Sequence, residues 1–448
     1  SQMDPQQRLL LEVGYTALEH AGLSPAALRG SATGIYVGLA PSGYGGGGDL
    51  SYAVQGSDTA FASGRLAYHL GLRGPALAVN TACSSSLVAI QLAMEGLRAG
   101  ACDVALAGGA SVIVGSASFV ALSALQAVAP NGRSKTFSDN ADGYGRGEGV
   151  GLVTLMRLSD AQVVGHHIYG VLRGAAVQHD GASSGLTVPS GTSQQEVLRR
   201  ALSDAGVSAE EVDWVECHGT GTSLGDPIEV NALGAVFGGR TEPLGLGAVK
   251  STVGHLEAAA GMAGLFKVLA ALRRDTVPPT LHTTPRNLHI DWSAHPVSVQ
   301  DAPWSWPRSE RVRRAGLSAF GLSGTNAHLI VEEAPAVVVA PSASEAQAGP
   351  DVVPLLVSGK TVEGLRAQAA KLAAYLLEQP EVSLRDVAYS LATTRSPLAE
   401  RLAVPVSVDG PVDVVATALS TFAESGVAPH LGTVSTSRDG AVGMWFTG

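Results

Sequence analysis

Short, uninterrupted apolar runs alternate along this chain with stretches whose apolar residues return every third or fourth position. The first pattern marks buried strands and the second marks helices with one apolar face. MDPQQRLLLEVGYTALEH (3–20) predicts an opening helix, with Asp4 as its cap and Pro5 at its first position. The runs GIYVGL, PALAV, DVALAGG, GVGLVTLMRL, YGVLRGAAV and VDWVEC are predicted strands. Helices are predicted after Cys83, where Leu87, Ile90, Met94 and Leu97 recur and Gly100 is the stop, then near 193–206 and again from Pro227. Such alternation specifies α/β layers around a buried sheet. The stretch from Val104 to Asn131 carries no charge. Its frequent Gly, Ser and Pro predict buried strands and turns there, not a membrane-spanning helix.

The pattern changes after Glu333. Residues 334–350 (APAVVVAPSASEAQAGP) have linker composition. Beyond them come a strand (VVPLLVS), an amphipathic helix (TVEGLRAQAAKLAAYLLEQ), a second helix (SLRDVAYSLATT), a strand (RLAVPVSV), a third helix (VDVVATALSTFAE) and a last strand (AVGMWF). The expected organisation is a large α/β unit over 1–333, a linker over 334–350 and a small α+β unit over 351–440, with 441–448 opening something further.

Composition narrows the possibilities. Of 448 residues, 45% are hydrophobic and only 15% charged, which implies a large core with little surface per residue. The net charge is −10 and no Lys/Arg-rich run occurs, which argues against nucleic-acid binding. The three cysteines show no CxxC spacing, so neither a disulfide scaffold nor a zinc site is suggested, and a reducing cytoplasm fits. The opening SQMDPQQRLLLE is too polar for a signal peptide.

Four stretches could carry chemistry. In VNTACSSSL, Cys83 stands where a strand turns into a helix, and the first turn's free N–H groups favour a thiolate. In ECHGTGTSLGDPIE, a strand ends and His218 follows, before a Gly/Thr loop containing Thr220 and Thr222. Asp226, Pro227 and Glu229 then spell an N-cap, a first-turn proline and a capping-box acid. In VKSTVGHLEAAAGMAGLFKVL, Lys250 and His255 flank a turn before a small-sided helix that must pack closely. In AGLSAFGLSGTNAHLIVEE, glycines surround Phe320, and the loop's N–H groups can form an anion-binding concavity. Each has a structural alternative: a small core residue for Cys83, a turn histidine, a capping histidine with a snorkelling lysine, or a plain hairpin. Cys102 and Cys217 are expected in the core. ADGYGRGEGVG is glycine-rich but lacks the strand–loop–helix setting of a nucleotide site.

Taken in order, MDPQQRLLLE, TACSSS, ADGYGRGEG, DGASSGLT, ECHGTGTSLGDPIE, VKSTVGH and FGLSGTNAH resemble the ketosynthase (β-ketoacyl synthase) domain of modular type I polyketide synthases, across 1–333. Residues 351–448 resemble the linker domain that joins a ketosynthase to its acyltransferase, and the closing MWFTG is similar to that acyltransferase's first strand. The resemblance implies a thiolase-like α/β fold of five layers (α-β-α-β-α) built from two similar halves, here without the family's opening strand, working as a homodimer. It implies that Cys83 accepts an acyl chain as a thioester. His218 and His255 would promote decarboxylation of a malonyl-type extender, and Lys250 would support them. Thr220 and Thr222 would contact the phosphopantetheine arm. Phe320 would gate the site, its N–H and that of Cys83 forming the oxyanion hole. No metal or cofactor is implied on this chain, because an acyl carrier protein brings the phosphopantetheine. An acyltransferase would follow in the same polypeptide, and neither nucleic acid nor membrane is an expected partner. Asn80 replaces the usual acid, Cys217 the usual alanine, and Thr252-Val253 the common Asn-Ile. None of these removes a catalytic group. An iterative or fatty-acid-type condensing domain, and a non-catalytic dimerisation or docking fragment, are the alternatives.

Overall fold

The structure, a computed structural model, describes residues 2–45, 50–336 and 349–427. The predicted strand AVGMWF, residues 441–448 and most of the 334–350 linker lie outside the described residues. The chain divides into two compact units, one holding residues 2–17 and 30–336, the other 18–29 and 349–427.

The first unit opens with α1 (Pro5–His20). Asp4 caps it, one carboxylate oxygen accepting the Gln6 N–H at 2.7 Å and the other the Ser42 hydroxyl at 2.6 Å. Next come β1 (Gly34–Leu39), α2 (Ala60–Leu70), β2 (Ala76–Val79), α3 (Ser85–Arg98), β3 (Val104–Ser111), α4 (Ala117–Ala124) and β4 (Gly149–Met156). These strands form a sheet in the order β2-β1-β3-β4, with the first three parallel and β4 antiparallel to β3. Every residue of β1 and β3 is buried, as their uninterrupted apolar runs require.

A second sheet follows from β5 (Gly170–His179), α5 (Gly191–Ala205), β6 (Trp214–Glu216), α6 (Gly225–Phe237), β7 (Leu244–Gly247), α7 (Ala260–Arg274), β8 (Val297–Val299), β9 (Arg314–Phe320) and β10 (Thr325–Glu333). Its order is β5-β10-β9-β6-β7-β8. β9, β6, β7 and β8 run parallel, and the β9–β10 hairpin pairs Ser318 with His328.

Helices α3 and α7 lie between the sheets. Leu87 and Ile90 of α3 and Met262 and Leu265 of α7 share one core with Ala105 of β3 and with Leu317 and Leu329 of the hairpin. The far face of the second sheet is covered by α5 and α6, where Val197, Leu198, Val230 and Leu233 meet Val215, Leu246 and Ile330. The far face of the first carries α1 and α2. A Cβ on Gly14 would touch Leu66 and Leu152, and Thr154 of β4 donates to the Ala17 carbonyl at 3.1 Å. The result is the five-layer α-β-α-β-α stack of a thiolase-like fold.

One expectation needs correction here. The uncharged Val104–Asn131 stretch contains the buried strand β3, but it goes on into α4, whose residues are all outside the core. Phe119 and Val120 of that helix are 43% and 68% exposed. A helix apolar on every side shows no three-and-four periodicity, so its sequence carries no helical signature.

The second unit comprises β11 (Val352–Gly359), α8 (Val362–Glu378), α9 (Leu384–Thr394), β12 (Glu400–Ser407) and α10 (Val412–Ser425). The two strands pair antiparallel, Val352 opposite Ser407, over a core of Leu355, Leu365, Leu376, Leu402 and Phe422. Thr361 and Ser383 cap α8 and α9. Residues 18–29, which the sequence pattern assigns to the large unit, group with this one. The Ser396 hydroxyl accepts the Ala26 N–H at 3.0 Å, and Arg395 donates to the Glu19 carbonyl at 3.1 Å.

Candidate active site

β2 stops at Val79, and three residues later Ala82 takes a left-handed conformation (φ 54°). For a residue with a Cβ this costs about 1 kcal/mol or more, so its surroundings must hold it. The Asn80 side chain accepts the Ala82 N–H at 3.1 Å, and the Ser85 hydroxyl accepts the Thr81 N–H at 2.9 Å while donating to the Ala82 carbonyl at 2.6 Å. Cys83 therefore sits on a short 3₁₀ turn (Ala82–Ser84) that feeds α3. The turn rests directly on the sheet because Gly38 and Gly109 have no side chains. A Cβ on Gly38 would fall 2.4 Å from Ser85 C, and one on Gly109 would fall 2.9 Å from the Ser86 Cβ.

The expectation of a thiolate meets a stronger opposing cause. Burial pushes the Cys83 thiol up to about 11, against a lowering hydrogen bond from the Leu322 backbone and the nearby charge of Lys250. In this arrangement the residue rests as a thiol. Cys102 and Cys217 are each 1% exposed, as core residues should be.

His218 begins the loop after β6, and buried carboxylates fix that loop. Glu229 accepts the N–H groups of His218 (2.6 Å) and Gly219 (2.8 Å), and Asp226 accepts those of Gly221 (3.1 Å) and Phe137 (2.7 Å). This corrects the capping-box expectation. α6 begins at Gly225, whose N–H is held by the Thr222 hydroxyl at 3.2 Å. Asp226 and Glu229 are thus inside the helix and serve the loop, whose inward N–H groups have no strand partner. Burial raises Asp226 to about 6 and Glu229 to about 7, against the lowering effect of those N–H groups. Gly219 and Gly221 have φ of 44° and 80°, and the alternating Thr220 and Thr222 hydroxyls stand 3.3 Å apart.

Lys250 (4% exposed) starts the one-turn helix Lys250–Val253, and fully buried His255 follows Gly254 (φ 78°). Burial lowers the Lys250 ammonium, opposed by Glu216 and Glu229. Glu216, at the end of β6, accepts the Val249 N–H and pairs with buried Lys267 at 2.7 Å.

The imidazoles of His218 and His255 lie 5.5 Å apart, nearly perpendicular, and Phe320 stands 5.6 Å from His218. Each Nδ1 accepts a backbone N–H: His218 from Phe320 at 3.3 Å, His255 from Glu257 at 3.1 Å. A nitrogen that accepts carries no proton, so in both neutral rings the proton is on Nε2. Burial, with Lys250 next in effect, drives both well below the ordinary histidine value, so both are neutral. The His255 Nε2 is buried and has no hydrogen-bond partner among the described residues. Two neutral N–H donors thus meet in one place. The Phe320 N–H, expected as an oxyanion donor, is here engaged by His218.

Cys83, His218, Lys250, His255 and Phe320 therefore come together, with Thr220 and Thr222 on the His218 loop. Sequence patterns did not mark Tyr144, Arg146, Glu216 or Glu257. The Tyr144 ring packs edge-on to His255 at 4.9 Å, and Arg146 pairs with Glu257 at 2.6 Å. Their signal was the every-other-residue glycine of ADGYGRGEGVG, a sign of close backbone approach. A Cβ on Gly145 would fall 2.0 Å from the Gly132 carbonyl oxygen, and one on Gly147 2.6 Å from that of Val253. No cluster of three or more His, Cys, Asp or Glu fit to hold a metal occurs among the described residues, and no described helix is long and apolar enough to cross a membrane.

Residues 1–161 match the family described as Beta-ketoacyl synthase, N-terminal domain, residues 169–284 its C-terminal domain, and residues 286–401 the Ketoacyl-synthetase C-terminal extension. Mycoketide-CoA synthase of Mycobacterium tuberculosis is 52% identical over 87% of this chain and 9% of its own length. Erythronolide synthase EryA3 of Saccharopolyspora erythraea is 49% identical over 90% of this chain and 13% of its own length. The chain thus spans a small fraction of these relatives. Among solved structures, the oxazolomycin ketosynthase domain OzmH KS7 of Streptomyces albus JA3453 matches with a TM-score of 0.86 and 37% identity, over 98% of this chain and 78% of that one. A ketosynthase from module 6 of the bacillaene synthase of Bacillus subtilis 168 matches with 0.84 and 34%, over 96% and 72%.

Proposed function

The chain belongs to the β-ketoacyl synthase family as a ketosynthase domain of the modular polyketide synthase kind, and from that premise we propose that it extends an acyl chain held on Cys83 by decarboxylative Claisen condensation. It is then an acyltransferase in the broad enzymatic sense. The observation that carries the proposal is the pair of neutral imidazoles, His255 buried and His218 half-buried, 5.5 Å apart, each held by a backbone N–H so that the proton sits on Nε2.

The first step moves an acyl group from a carrier thioester to Cys83. The Cys83 sulfur bonds to the carbonyl carbon, the carrier sulfur leaves, and the proton of the Cys83 thiol ends on the departing thiol. No base is consumed, which suits a cysteine that rests as a thiol. In the second step a malonyl-type thioester loses CO₂, and the electron pair of the broken C–C bond passes into an enolate. The two Nε2–H groups donate to its oxygen, stabilising charge where it develops. The enolate carbon then attacks the Cys83 thioester. The backbone N–H groups of Cys83 and Phe320 receive the tetrahedral oxyanion, which requires Phe320 to turn its N–H from His218. The intermediate collapses to a β-ketoacyl thioester and a free Cys83 sulfur that regains a proton. Burial first, and then the positive charge of Lys250 beside both histidines, keep them neutral donors.

The substrate arm is phosphopantetheine carried by an acyl carrier protein, met by Thr220 and Thr222. An acyltransferase domain supplies the extender, consistent with relatives far longer than this chain. A second copy is the proposed partner for β2, an edge strand with Leu77 43% exposed. Three free thiols accord with work in the cytoplasm.

The test is incubation with a small acyl thioester, followed by intact mass and peptide mapping. One acyl adduct on Cys83, absent in Cys83→Ala, is expected, and CO₂ release from a malonyl thioester should fall in His218→Ala and His255→Ala. A folded chain that takes no adduct would favour a non-catalytic docking role instead.

A further inference from the structure

The glycine-rich ADGYGRGEG stretch has no part in the chemistry above, yet it touches His255 once through the Tyr144 ring and twice through its backbone. The His255 N–H donates to the Gly145 carbonyl at 2.7 Å, and the Gly147 N–H donates to the His255 carbonyl at 2.9 Å. Between those two glycines, the Arg146 guanidinium grips both carboxylate oxygens of Glu257, at 2.6 and 3.0 Å. Glu257 is the residue whose own N–H holds the His255 Nδ1.

Glu257 adopts φ 48°, a left-handed conformation that a side chain disfavours by about 1 kcal/mol or more. That conformation aims its N–H at the His255 ring while its carboxylate reaches back to Arg146. The Arg146 side chain is 5% exposed. It donates to the Ser118 hydroxyl at 2.9 Å and lies 4.3 Å over the Phe119 ring, both on α4. A forked guanidinium against a carboxylate allows one geometry, so Glu257 is held in register.

We propose that Arg146 and Glu257 are a positioning pair that holds His255 as the Nε2–H donor of the site, and that they serve decarboxylation more than acyl loading. The proposal rests on the role given to His255 above. Loading needs the Cys83 sulfur and an oxyanion site; decarboxylation needs a proton on the His255 Nε2. Without the Glu257 N–H in place, the His255 proton is free to move to Nδ1. The Nε2 lone pair would then face the enolate oxygen and repel it.

The experiment measures two rates on the whole chain. One is acylation of Cys83 by the acyl thioester of N-acetylcysteamine, followed by intact mass. The other is CO₂ release from malonyl-N-acetylcysteamine. In Arg146→Met the ratio of decarboxylation to loading should fall at least about tenfold, the scale expected when a reacting group is mispositioned. The loss should lie in kcat rather than KM, and Arg146→Lys should recover part of it. Glu257→Gln, which keeps the backbone N–H and the side-chain shape, provides the same comparison should Arg146→Met not fold. A ratio kept within twofold, a loss confined to KM, or a lysine no better than methionine would overturn the proposal. His255→Ala separates the two levels. If it keeps the ratio, the assigned role of His255 falls and the positioning pair with it. If it loses the ratio while Arg146→Met keeps it, the positioning pair alone is refuted.

Discussion

Glu229→Gln isolates what a buried carboxylate does for this site. Glu229 is 2% exposed and accepts two backbone N–H groups, those of His218 and Gly219. Burial raises its carboxyl from 4.5 to about 7. Between those values the folded chain holds a proton that the unfolded chain has released, so folding takes up a proton. Stability must therefore fall as pH rises from about 4.5 to about 7, and stay level on either side as far as this group is concerned. At about 1.4 kcal/mol per pH unit, the whole decline comes to roughly 3 kcal/mol. Glutamine does not titrate, so the variant lacks this decline. It has its own cost: its amide nitrogen faces a backbone N–H that has lost its acceptor, worth about 1–3 kcal/mol at every pH.

The informative quantity is thus the difference between the two stability curves, followed by urea unfolding at pH 4.5, 6 and 8. The wild type should lose about 3 kcal/mol relative to Glu229→Gln across that span. Asp226, raised to about 6 in the same cluster, is common to both chains and largely cancels. Parallel curves, with a difference constant to within about 1 kcal/mol, would refute the assignment of a strongly raised carboxyl. At pH 8 the variant should be about as stable as the wild type yet condense more slowly, because one of the two N–H groups anchoring His218 is released. A variant equally stable and equally active would remove any functional reason for the charge.

Three further outcomes are expected. Gly109→Ala places a Cβ 2.8 Å from the Gly38 carbonyl oxygen and 3.0 Å from that of Ala258, with no flexible side chain able to yield. It should cost about 1–3 kcal/mol in urea unfolding and slow acylation of Cys83, whose helix it displaces. Lys267→Met strands the buried charge of Glu216 and should cost about 3–5 kcal/mol. Adding Glu216→Gln should return much of that in a double-mutant cycle, and strictly additive losses would count against the pair. Because burial holds the Cys83 thiol near 11, iodoacetamide should label it more slowly at pH 7.5 than an unstructured cysteine. The rate should still be climbing at pH 9, whereas a plateau below pH 8 would mean a thiolate after all.

Much of the fold is legible in the chain because its signals are local. The Asp4-Pro5 start of α1, the run GIYVGL that became β1, and the three-and-four spacing after Cys83 each answer to a rule spanning a few residues. The positions of Cys83 and the two histidines are legible for a related reason: strand ends followed by tight turns are visible in one dimension. Helix α4 is not, since a segment apolar on all sides has no period to detect.

The carboxylates show where local rules stop. Asp226-Pro227-x-Glu229 has the spelling of a helix cap, and a short-range rule can give it no other meaning. What decides otherwise is that the loop from His218 to Gly221, after the end of β6, presents N–H groups to the interior with no strand beside them. Buried N–H groups must be satisfied, and helix α6 brings the two carboxylates that accept them, Asp226 and Glu229. The same logic makes Arg146 and Glu257 invisible in sequence: they are 111 residues apart, and their pairing exists only once Gly145 and Gly147 let the two backbones touch. Cys83 and the two histidines can therefore be picked out from spacing, whereas the side chains that pack around them are found only from the folded structure. The tertiary contacts also set the ring states: the backbone N–H groups of Phe320 and Glu257 on the two Nδ1 atoms leave the proton of each imidazole on Nε2.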